Sequence, residues 1–291
     1  MTRKIDPELV GEALGAEPMT RRELEQKATE AFRDIGVKFY PEGIANNPDE
    51  SAFCKLMQKA HVYEYPKADN TTDAVVFALD AKEGTLRVLL IKRGREGEPY
   101  YGCWALPGGF LVMDEDLDTC VRRELEEETG VKLSYLEQLY TFGRPDRDPR
   151  GRVITTAYLA LVRPDEITVK AADDADDFVW ADIHSLPPLA FDHEEIIQKA
   201  LDRLKSKILW QPIGMELLPD RFTLTEIQQV YELVLGRPLD KRNFRRKILK
   251  FGVLQPVNGI TTRENGRPAQ MYQFDRGTYK NLQEKGIAFE V

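Results

Sequence analysis

One segment, residues 109–131, restricts what this chain can fold into more than any other. It follows a Pro-Gly-Gly turn at 107–109, where glycine accepts backbone angles that other residues resist. A helix is predicted to follow from Leu117, because apolar residues recur at spacings of three and four and form one apolar stripe. Gly130 is expected to end this helix in a left-handed cap.

Three glutamates of this helix, Glu124, Glu127 and Glu128, carry their carboxylates on one face, because they occupy positions i, i+3 and i+4. Like charges at these spacings destabilise an isolated helix, so a bound cation is one explanation for the cluster. Carboxylate oxygens suit Mg²⁺ or Mn²⁺, which proteins commonly hold together with substrate phosphates. The alternative is a solvated acidic face, which is the usual role of a charge run.

The complete spacing decides between these alternatives. Residues 109–131 resemble the Nudix hydrolase box, Gly-x5-Glu-x7-Arg-Glu-U-x-Glu-Glu-x-Gly-U, where U is bulky and apolar, and every fixed position is matched. The resemblance implies that a divalent metal ion assists the attack of water on a pyrophosphate. It assigns catalytic roles to Glu115, Arg123, Glu124 and Glu127. It assigns the binding of Mg²⁺ or Mn²⁺ to the Gly109 carbonyl, Glu124, Glu127 and Glu128. Glu115 is either a ligand or the partner of Arg123, and the catalytic base is a box glutamate or an acid from another loop.

A predicted loop carries four arginines at positions 144, 147, 150 and 152. Guanidinium groups bind phosphate through paired hydrogen bonds, although a solvated hairpin loop with local aspartate partners explains the composition equally well. The order Asp-Arg-Asp-Pro-Arg-Gly-Arg at 146–152 resembles Nudix proteins that act on or sense ADP-ribose, which implies a nucleotide-sugar ligand. In that family an aromatic residue near position 101 can stack on a nucleobase, the alternative being a structural ring at the surface. The predicted substrate-binding residues are Arg93, Tyr101, Arg144, Arg147 and Arg150.

The C-terminal region is predicted to be helix, turn, basic helix and β-hairpin, over residues 223–235, 240–250 and 260–274. Residues 215–291 carry 13 Lys and Arg against 9 Asp and Glu, whereas the whole chain has a net charge of −8. This order is typical of a winged helix-turn-helix, whose second helix can enter the major groove of double-stranded DNA. The candidate DNA-binding residues are Arg242, Asn243, Arg245, Arg246 and Arg267. The alternative is a docking domain whose basic helix faces the acidic body or a second subunit.

Residues 70–291 as a whole resemble the Nudix proteins that carry a C-terminal winged helix, through the strings at 236–247 and 266–272. That group includes ADP-ribose pyrophosphatases and Nudix-related transcriptional regulators of NAD metabolism. The implied fold class is α+β, with a Nudix α/β/α sandwich built on a mixed sheet and followed by a winged helix-turn-helix domain. The expected domains are a helical N-terminal extension at 1–65, the Nudix domain at 66–208 and the winged-helix domain at 209–291, with 210–221 as the linker. The resemblance also implies a homodimer.

Two smaller predictions concern polar residues after the arginine loop. The aspartates at 173, 174, 176 and 177 are candidates for positioning a second metal or the attacking water, although an acidic turn is the simpler interpretation. Asp192 and Glu195 have the spacing of a helix cap. His193 is placed either as a capping residue or in a ligand pocket.

Composition limits where the protein acts. No apolar run approaches the ~18 residues of a membrane span, and the N-terminus lacks the apolar core of a signal peptide. The 3 cysteines show no metal-ligand spacing and fit buried thiols in a reducing, cytoplasmic setting. The expected protein is therefore cytoplasmic and has no membrane partner.

Three functions are consistent with these features. The intact box favours a Mg²⁺-dependent hydrolase that cleaves ADP-ribose, or a related nucleoside diphosphate derivative, to AMP and ribose 5-phosphate. The alternative is a transcriptional regulator of NAD metabolism that senses ADP-ribose through the Nudix domain and binds DNA through the winged helix. A hydrolase for an RNA cap or a dinucleoside polyphosphate is the third, and the arginine loop favours ADP-ribose over a cap.

Overall fold

The computed structural model describes residues 68–80, 83–94, 96–163, 178–264 and 267–285, with the backbone alone described at 259–264 and 267. The chain divides into two compact units, Met1–Ala68 and Asp69–Val291. The predicted N-terminal extension and the aspartates at 173–177 lie outside the described residues. The second unit contains both the Nudix box and the predicted winged helix.

A mixed sheet forms the centre of the first half of this unit. Its strands are β1 (Asp69–Asp80), β2 (Thr85–Lys92), β3 (Trp104–Ala105), β4 (Gly108–Phe110), β5 (Tyr135–Phe142), β6 (Val153–Val162) and β7 (Phe178–Asp182). The strand order is β3-β2-β1-β6-β5, while β4 pairs with the start of β1 and β7 pairs with β2. The long strand β1 runs parallel to β6 and antiparallel to β2, so one strand joins both halves of the sheet.

Two helices cover opposite faces of this sheet, because side chains of β1 alternate between them. Ala74, Val76 and Ala78 pack in one apolar cluster with residues of α1 (Leu117–Thr129). Val75 and Phe77 point the other way and share a second cluster with residues of α2 (His193–Lys207). The result is the α/β/α sandwich that the resemblance implied.

The ends of α1 follow from its sequence. The Asp116 side chain accepts a hydrogen bond from the Thr119 backbone N–H at 2.8 Å and caps the N-terminus. Gly130 adopts φ 62° in the left-handed region, where a glycine carries no Cβ to clash. The predicted box helix therefore begins and ends where the sequence placed it.

The segment predicted as a linker is packed rather than extended. A 3₁₀ helix at Pro212–Leu217 is buried along its whole length. A methyl group on Gly214 would lie 2.9 Å from the Tyr231 ring, so this backbone rests directly on the C-terminal domain. One apolar cluster runs from Leu204 through Leu217 to Tyr231 and joins the two domains.

The C-terminal domain has the helix, turn, helix and hairpin order of a winged helix. Its elements are β8 (Phe222–Thr223), α3 (Leu224–Leu235), α4 (Lys241–Lys250), β9 (Leu254–Glu264), β10 (Arg267–Phe274) and α5 (Arg276–Glu284). The sheet has the order β8-β10-β9, and Thr223 and Glu226 form the predicted capping box at the start of α3. No described helix is long and apolar enough to cross a membrane.

Candidate functional site

Arg123 is the centre of the box cluster. Its guanidinium donates two hydrogen bonds to the Glu115 carboxylate, at 3.0 and 2.7 Å. It also donates to Glu124 at 2.8 Å and to Glu127 at 3.3 Å. The Arg123 hydrogen bonds and the Val112 backbone N–H lower the pKa of Glu115 to about 2. Glu115 is therefore the ionised partner of Arg123, which was one of its two predicted roles.

The two glycines of the turn bring backbone against the acidic helix face. The Gly108 backbone N–H donates to the Glu128 carboxylate at 2.9 Å. A Cβ on Gly109 would lie 2.2 Å from a Glu124 carboxylate oxygen, so any larger residue would displace that carboxylate. Glu128 is an exposed residue, but its carboxylate lies against the Gly108 backbone, and loss of hydration there together with repulsion from Glu124 and Asp73 raises its pKa to about 8.

The available ligands are glutamate carboxylates on one helix face beside a glycine backbone, which are oxygen ligands of the type that a hard divalent cation prefers. In the described part of the chain, however, no three His, Cys, Asp or Glu side chains form a group that could hold a metal ion. Arg123 occupies carboxylate oxygens of Glu124 and Glu127 that a cation would need. The predicted Mg²⁺ site thus has suitable ligands but requires their rearrangement around the ion.

Arg147 lies away from solvent, contrary to what a phosphate-binding role would lead one to expect. Its guanidinium donates to both carboxylate oxygens of Asp192, at 3.0 and 2.7 Å, and lies 3.6 Å from Asp73. The Arg147 and Asp192 side chains are 3% and 2% exposed. Asp192 does occupy the N-cap position of α2, as predicted, but its carboxylate accepts from Arg147 and makes no side-chain cap hydrogen bond to the helix.

His193 completes this buried group. Its Nδ1 accepts a hydrogen bond from the Leu106 backbone N–H at 2.8 Å, and its Nε2 lies 3.7 Å from Asp73. Burial lowers the pKa of His193 and keeps the ring neutral, as an acceptor nitrogen must be. We call Asp73, Arg147, Asp192 and His193 the buried latch. It connects β1, the turn before the box, the arginine loop and the start of α2.

The other arginines predicted to bind substrate differ in their surroundings. Arg150 is held by Asp148 at 2.6 Å, and its guanidinium lies over the rings of Phe110 and Phe191 at 5.0 and 5.5 Å. Arg93 also lies over Phe191, at 4.9 Å, and donates to Glu98. These two arginines therefore share one aromatic residue.

Arg144 and the tyrosines complete the surroundings of this cluster. Arg144 is exposed and lies 3.5 Å from Glu195. Tyr101 is 58% exposed, whereas the neighbouring Tyr100 packs its ring 4.7 Å from that of Phe191. Phe191 belongs to no motif, so sequence reasoning missed it; the one available signal was its position beside Asp192 and His193.

The basic helix α4 carries 6 Lys and Arg and no acidic residue. Arg242, Asn243 and Arg246 are exposed, and Arg246 donates to Asn243 at 2.5 Å. Arg245 instead donates to Thr225 of α3 at 2.8 Å and is partly buried, so it braces the two helices. The Arg267 side chain lies outside the described residues.

This fold and this site define a Nudix-domain protein with a C-terminal winged helix. The NUDIX domain model matches residues 69–202, and the NrtR DNA-binding winged helix domain model matches residues 214–274. The chain is 36% identical over 235 residues to a protein of Acinetobacter baylyi named ADPR responsive transcriptional repressor NtrR, a match covering 79% of this chain and 90% of that one. The chain therefore belongs to the NrtR family.

Two further relatives agree with this placement. The crystal structure of Shewanella oneidensis NrtR complexed with a 27mer DNA has a TM-score of 0.65 and 37% identity, and the match covers 72% of this chain and 95% of that chain. An ADP-ribose pyrophosphatase of Methanocaldococcus jannaschii is 45% identical over 112 residues, which cover 38% of this chain and 64% of that protein. The predicted family and fold are confirmed. The similarity to NrtR proteins, which covers 79% and 72% of this chain in the two relatives, favours the regulator, which was the alternative, over the hydrolase that the intact box placed first.

Proposed function

We propose that this protein is a DNA-binding transcriptional regulator of NAD metabolism whose DNA affinity responds to ADP-ribose bound by the Nudix domain. The observation that carries the proposal is the union of the two domains through one buried core, together with a basic helix whose arginines at 242 and 246 are exposed. The similarity to an ADPR responsive repressor and to a structure with bound DNA supports it.

The DNA-binding half of the proposal depends on α4. Phe244 and Ile248 anchor the helix in the core and Arg245 braces it against α3, which leaves the opposite face free for DNA. Exposed guanidinium groups at 242 and 246 supply phosphate contacts or read guanine edges. Helix-turn-helix proteins commonly read two half-sites as dimers, so we also propose a homodimer.

The ligand-binding half depends on the cluster beside the box. Arg93 and Arg150 lie over Phe191, and the Gly108–Gly109 turn lies alongside, so cationic, aromatic and backbone groups converge on one region. A nucleoside diphosphate sugar presents complementary groups, namely a flat base, a charged pyrophosphate and ribose hydroxyls. Arg144 is exposed and can reach phosphate, whereas Arg147 acts through the buried latch.

The test is fluorescence anisotropy on a duplex selected by the wild-type protein from a random pool, with and without ADP-ribose. ADP-ribose should change DNA affinity by at least about fivefold, the lower end of typical coupling. Arg242→Ala with Arg246→Ala should reduce the slope of log affinity against log salt by about 2, one for each lost phosphate contact. Lys132→Ala with Lys199→Ala removes the same charge from exposed Nudix positions and should leave the slope unchanged.

Two results would contradict this proposal. One is DNA affinity that does not respond to ADP-ribose although isothermal titration calorimetry shows the ligand bound. The other is an equal loss of salt dependence in the α4 variant and in the control variant, because this would mean that overall charge rather than α4 holds the DNA.

The complete box supports a second candidate, a Mg²⁺-dependent ADP-ribose hydrolase. A bound cation would neutralise the diphosphate and supply a metal-activated water, with Glu124, Glu127, Glu128 and the Gly109 carbonyl as its ligands. Arg123 would hold the glutamates in place. AMP release from ADP-ribose with Mg²⁺ at neutral pH, lost in Glu124→Gln while DNA binding persists, would support a bifunctional protein. If the protein binds ADP-ribose but releases no detectable AMP in the presence of Mg²⁺, the hydrolase candidate is refuted.

A further inference from the structure

A group of charged side chains connects the two domains beside the 3₁₀ helix. Glu216 belongs to that helix and is buried, 6% exposed. Its carboxylate accepts two hydrogen bonds from the Arg276 guanidinium, both at 2.6 Å. Arg163 lies 3.8 Å from the same carboxylate and also pairs with Asp220. We call Arg163, Glu216 and Arg276 the domain joint, because one acid lies between an arginine of each domain.

On the Nudix side, one strand leads from the arginine loop to the domain joint. β6 begins directly after Arg152 and ends directly before Arg163. It is paired on both edges, parallel to β1 and antiparallel to β5. Its 10 residues extend about 33 Å and cannot shorten without breaking both pairings. A movement of the arginine loop can therefore reach Arg163 as a movement of the whole strand.

On the winged-helix side, Arg276 leads to the end of the basic helix. It is the first residue of α5, which Asp275 caps by accepting from the Thr278 backbone N–H at 2.9 Å. The Asp275 backbone N–H also donates to the Val253 carbonyl at 2.8 Å. Val253 lies shortly after the end of α4. A short hydrogen-bonded path thus connects Glu216 with the end of the candidate DNA-binding helix.

The surroundings of the domain joint allow its bonds to change. A cleft of about 380 Å³ adjoins it, with Asp220 and Phe274 in its walls beside the two arginines. The Arg163 Nε is buried and has no hydrogen-bond partner among the described residues. At 3.8 Å the contact between Arg163 and Glu216 is too long for a hydrogen bond, although the charges still attract. A close-packed apolar contact has no such freedom to rearrange.

From this arrangement we infer that the domain joint is the contact through which a ligand of the Nudix domain changes the DNA affinity of the winged helix. A ligand shifts an equilibrium between two arrangements only through contacts that differ between them. The domain joint can supply such contacts, because its charges come from both domains and from the segment between them. A shift of β6 changes the distance from Arg163 to Glu216, and the hold of Glu216 on Arg276 changes with it. The inference deepens the proposed function and rests on it for the effector and for DNA binding.

The experiment compares DNA affinity with and without ADP-ribose, by fluorescence anisotropy, for wild type, Arg276→Gln and Glu216→Gln. The Arg276 side chain is 56% exposed, so its replacement should leave the fold intact. The ratio of the two affinities should fall from at least about fivefold in wild type to less than about twofold in Arg276→Gln. The ADP-ribose affinity of the DNA-free protein, measured by calorimetry, should stay within about twofold of wild type.

Arg203→Gln is the matched control. Arg203 pairs with Glu137 at 3.4 Å, but both residues lie in the Nudix domain, so this ion pair does not span the two domains. Its loss should leave the affinity ratio unchanged. Combining Glu216→Gln with Arg276→Gln should lower the ratio no further than Arg276→Gln alone, because the two residues act as one unit. If Glu216→Gln does not fold, Arg276→Gln carries the test.

The outcomes separate the domain joint from the proposed function. If wild type responds to ADP-ribose and Arg276→Gln responds equally, the inference is overturned and the proposed function stands. Weaker DNA binding at an unchanged ratio, or no DNA binding at all, in Arg276→Gln also overturns it, because Arg276 would then only support the fold or contact DNA. The same loss of response in Arg203→Gln overturns it as well, since any ion pair would have this effect. If wild type binds ADP-ribose without a change in DNA affinity, the proposed function itself is refuted, and the inference with it.

Discussion

Removing the positive charge of the buried latch should destabilise the protein strongly. Arg147→Met leaves the Asp192 carboxylate, 2% exposed, without its two charge-assisted hydrogen bonds. Asp73 loses the same cation, 3.6 Å away. Breaking a buried ion pair from one side costs about 3–5 kcal/mol, because a buried charge is left uncompensated.

The size of this effect can be compared with two other variants. Asp192→Asn should cost roughly half as much, because Arg147 keeps Asp73 nearby and the amide oxygen still accepts a hydrogen bond. Arg144→Met removes an arginine that is 62% exposed and 3.5 Å from Glu195, and should cost less than about 1 kcal/mol. The expected order of destabilisation is therefore Arg147→Met, then Asp192→Asn, then Arg144→Met.

Urea unfolding followed by far-ultraviolet circular dichroism measures these differences through the transition midpoint at constant slope. For a unit of this size, 3–5 kcal/mol corresponds to a fall in Tm of about 6–20 °C. If Arg147→Met and Arg144→Met have the same midpoint, then the latch does not stabilise the fold. A larger loss in Asp192→Asn than in Arg147→Met would refute the assignment of Asp73 as a second partner.

Three further predictions test other parts of the structure. Gly108→Ala should destabilise the protein by about 3 kcal/mol, because its Cβ would lie 2.1 Å from the Thr72 backbone oxygen at φ 155°. Gly109→Ala displaces only the Glu124 carboxylate and should cost less than about 1 kcal/mol. Urea unfolding of the two variants measures this difference. Because burial lowers the pKa of His193, its contribution to stability should fall as pH falls through about 6.5, whereas the raised pKa of Glu128, about 8, gives the opposite slope. The difference in stability between wild type and His193→Gln should therefore shift against wild type from about pH 7.5 through 6.5 to 5.5 in urea unfolding curves. Gly214→Ala should cost about 1–3 kcal/mol in the same assay, since its Cβ would meet the Tyr231 ring at 2.9 Å, and a neutral result would mean that the 3₁₀ helix is a loose linker.

The box helix shows how much local spacing can predict. Its glutamates share a face, Gly130 caps its end, and Glu115 pairs with Arg123 eight residues later. All of these depend on helix geometry within a few turns, which the sequence states directly. The order of elements in the winged helix was predictable for the same reason, since each element has its own periodicity and caps.

The partners of the arginines were not predictable in this way. Arg147 and Arg150 stand three residues apart in one loop, yet one is buried against Asp192 and the other lies over Phe110 and Phe191. Composition gives both the same phosphate-binding potential, because a guanidinium has the same chemistry in either place. Their difference depends on which side of the loop faces α2.

The sequence by itself determined the class of this protein, because the box and the basic helix are patterns of local spacing. The tertiary structure alone decided that Arg147 belongs to a buried latch and that Arg93 and Arg150 both lie over the Phe191 ring. It also showed that the segment between the domains is packed into a common core. The physical reason is that helix and turn geometry relates residues a few positions apart, whereas burial and charge pairing depend on how distant elements pack.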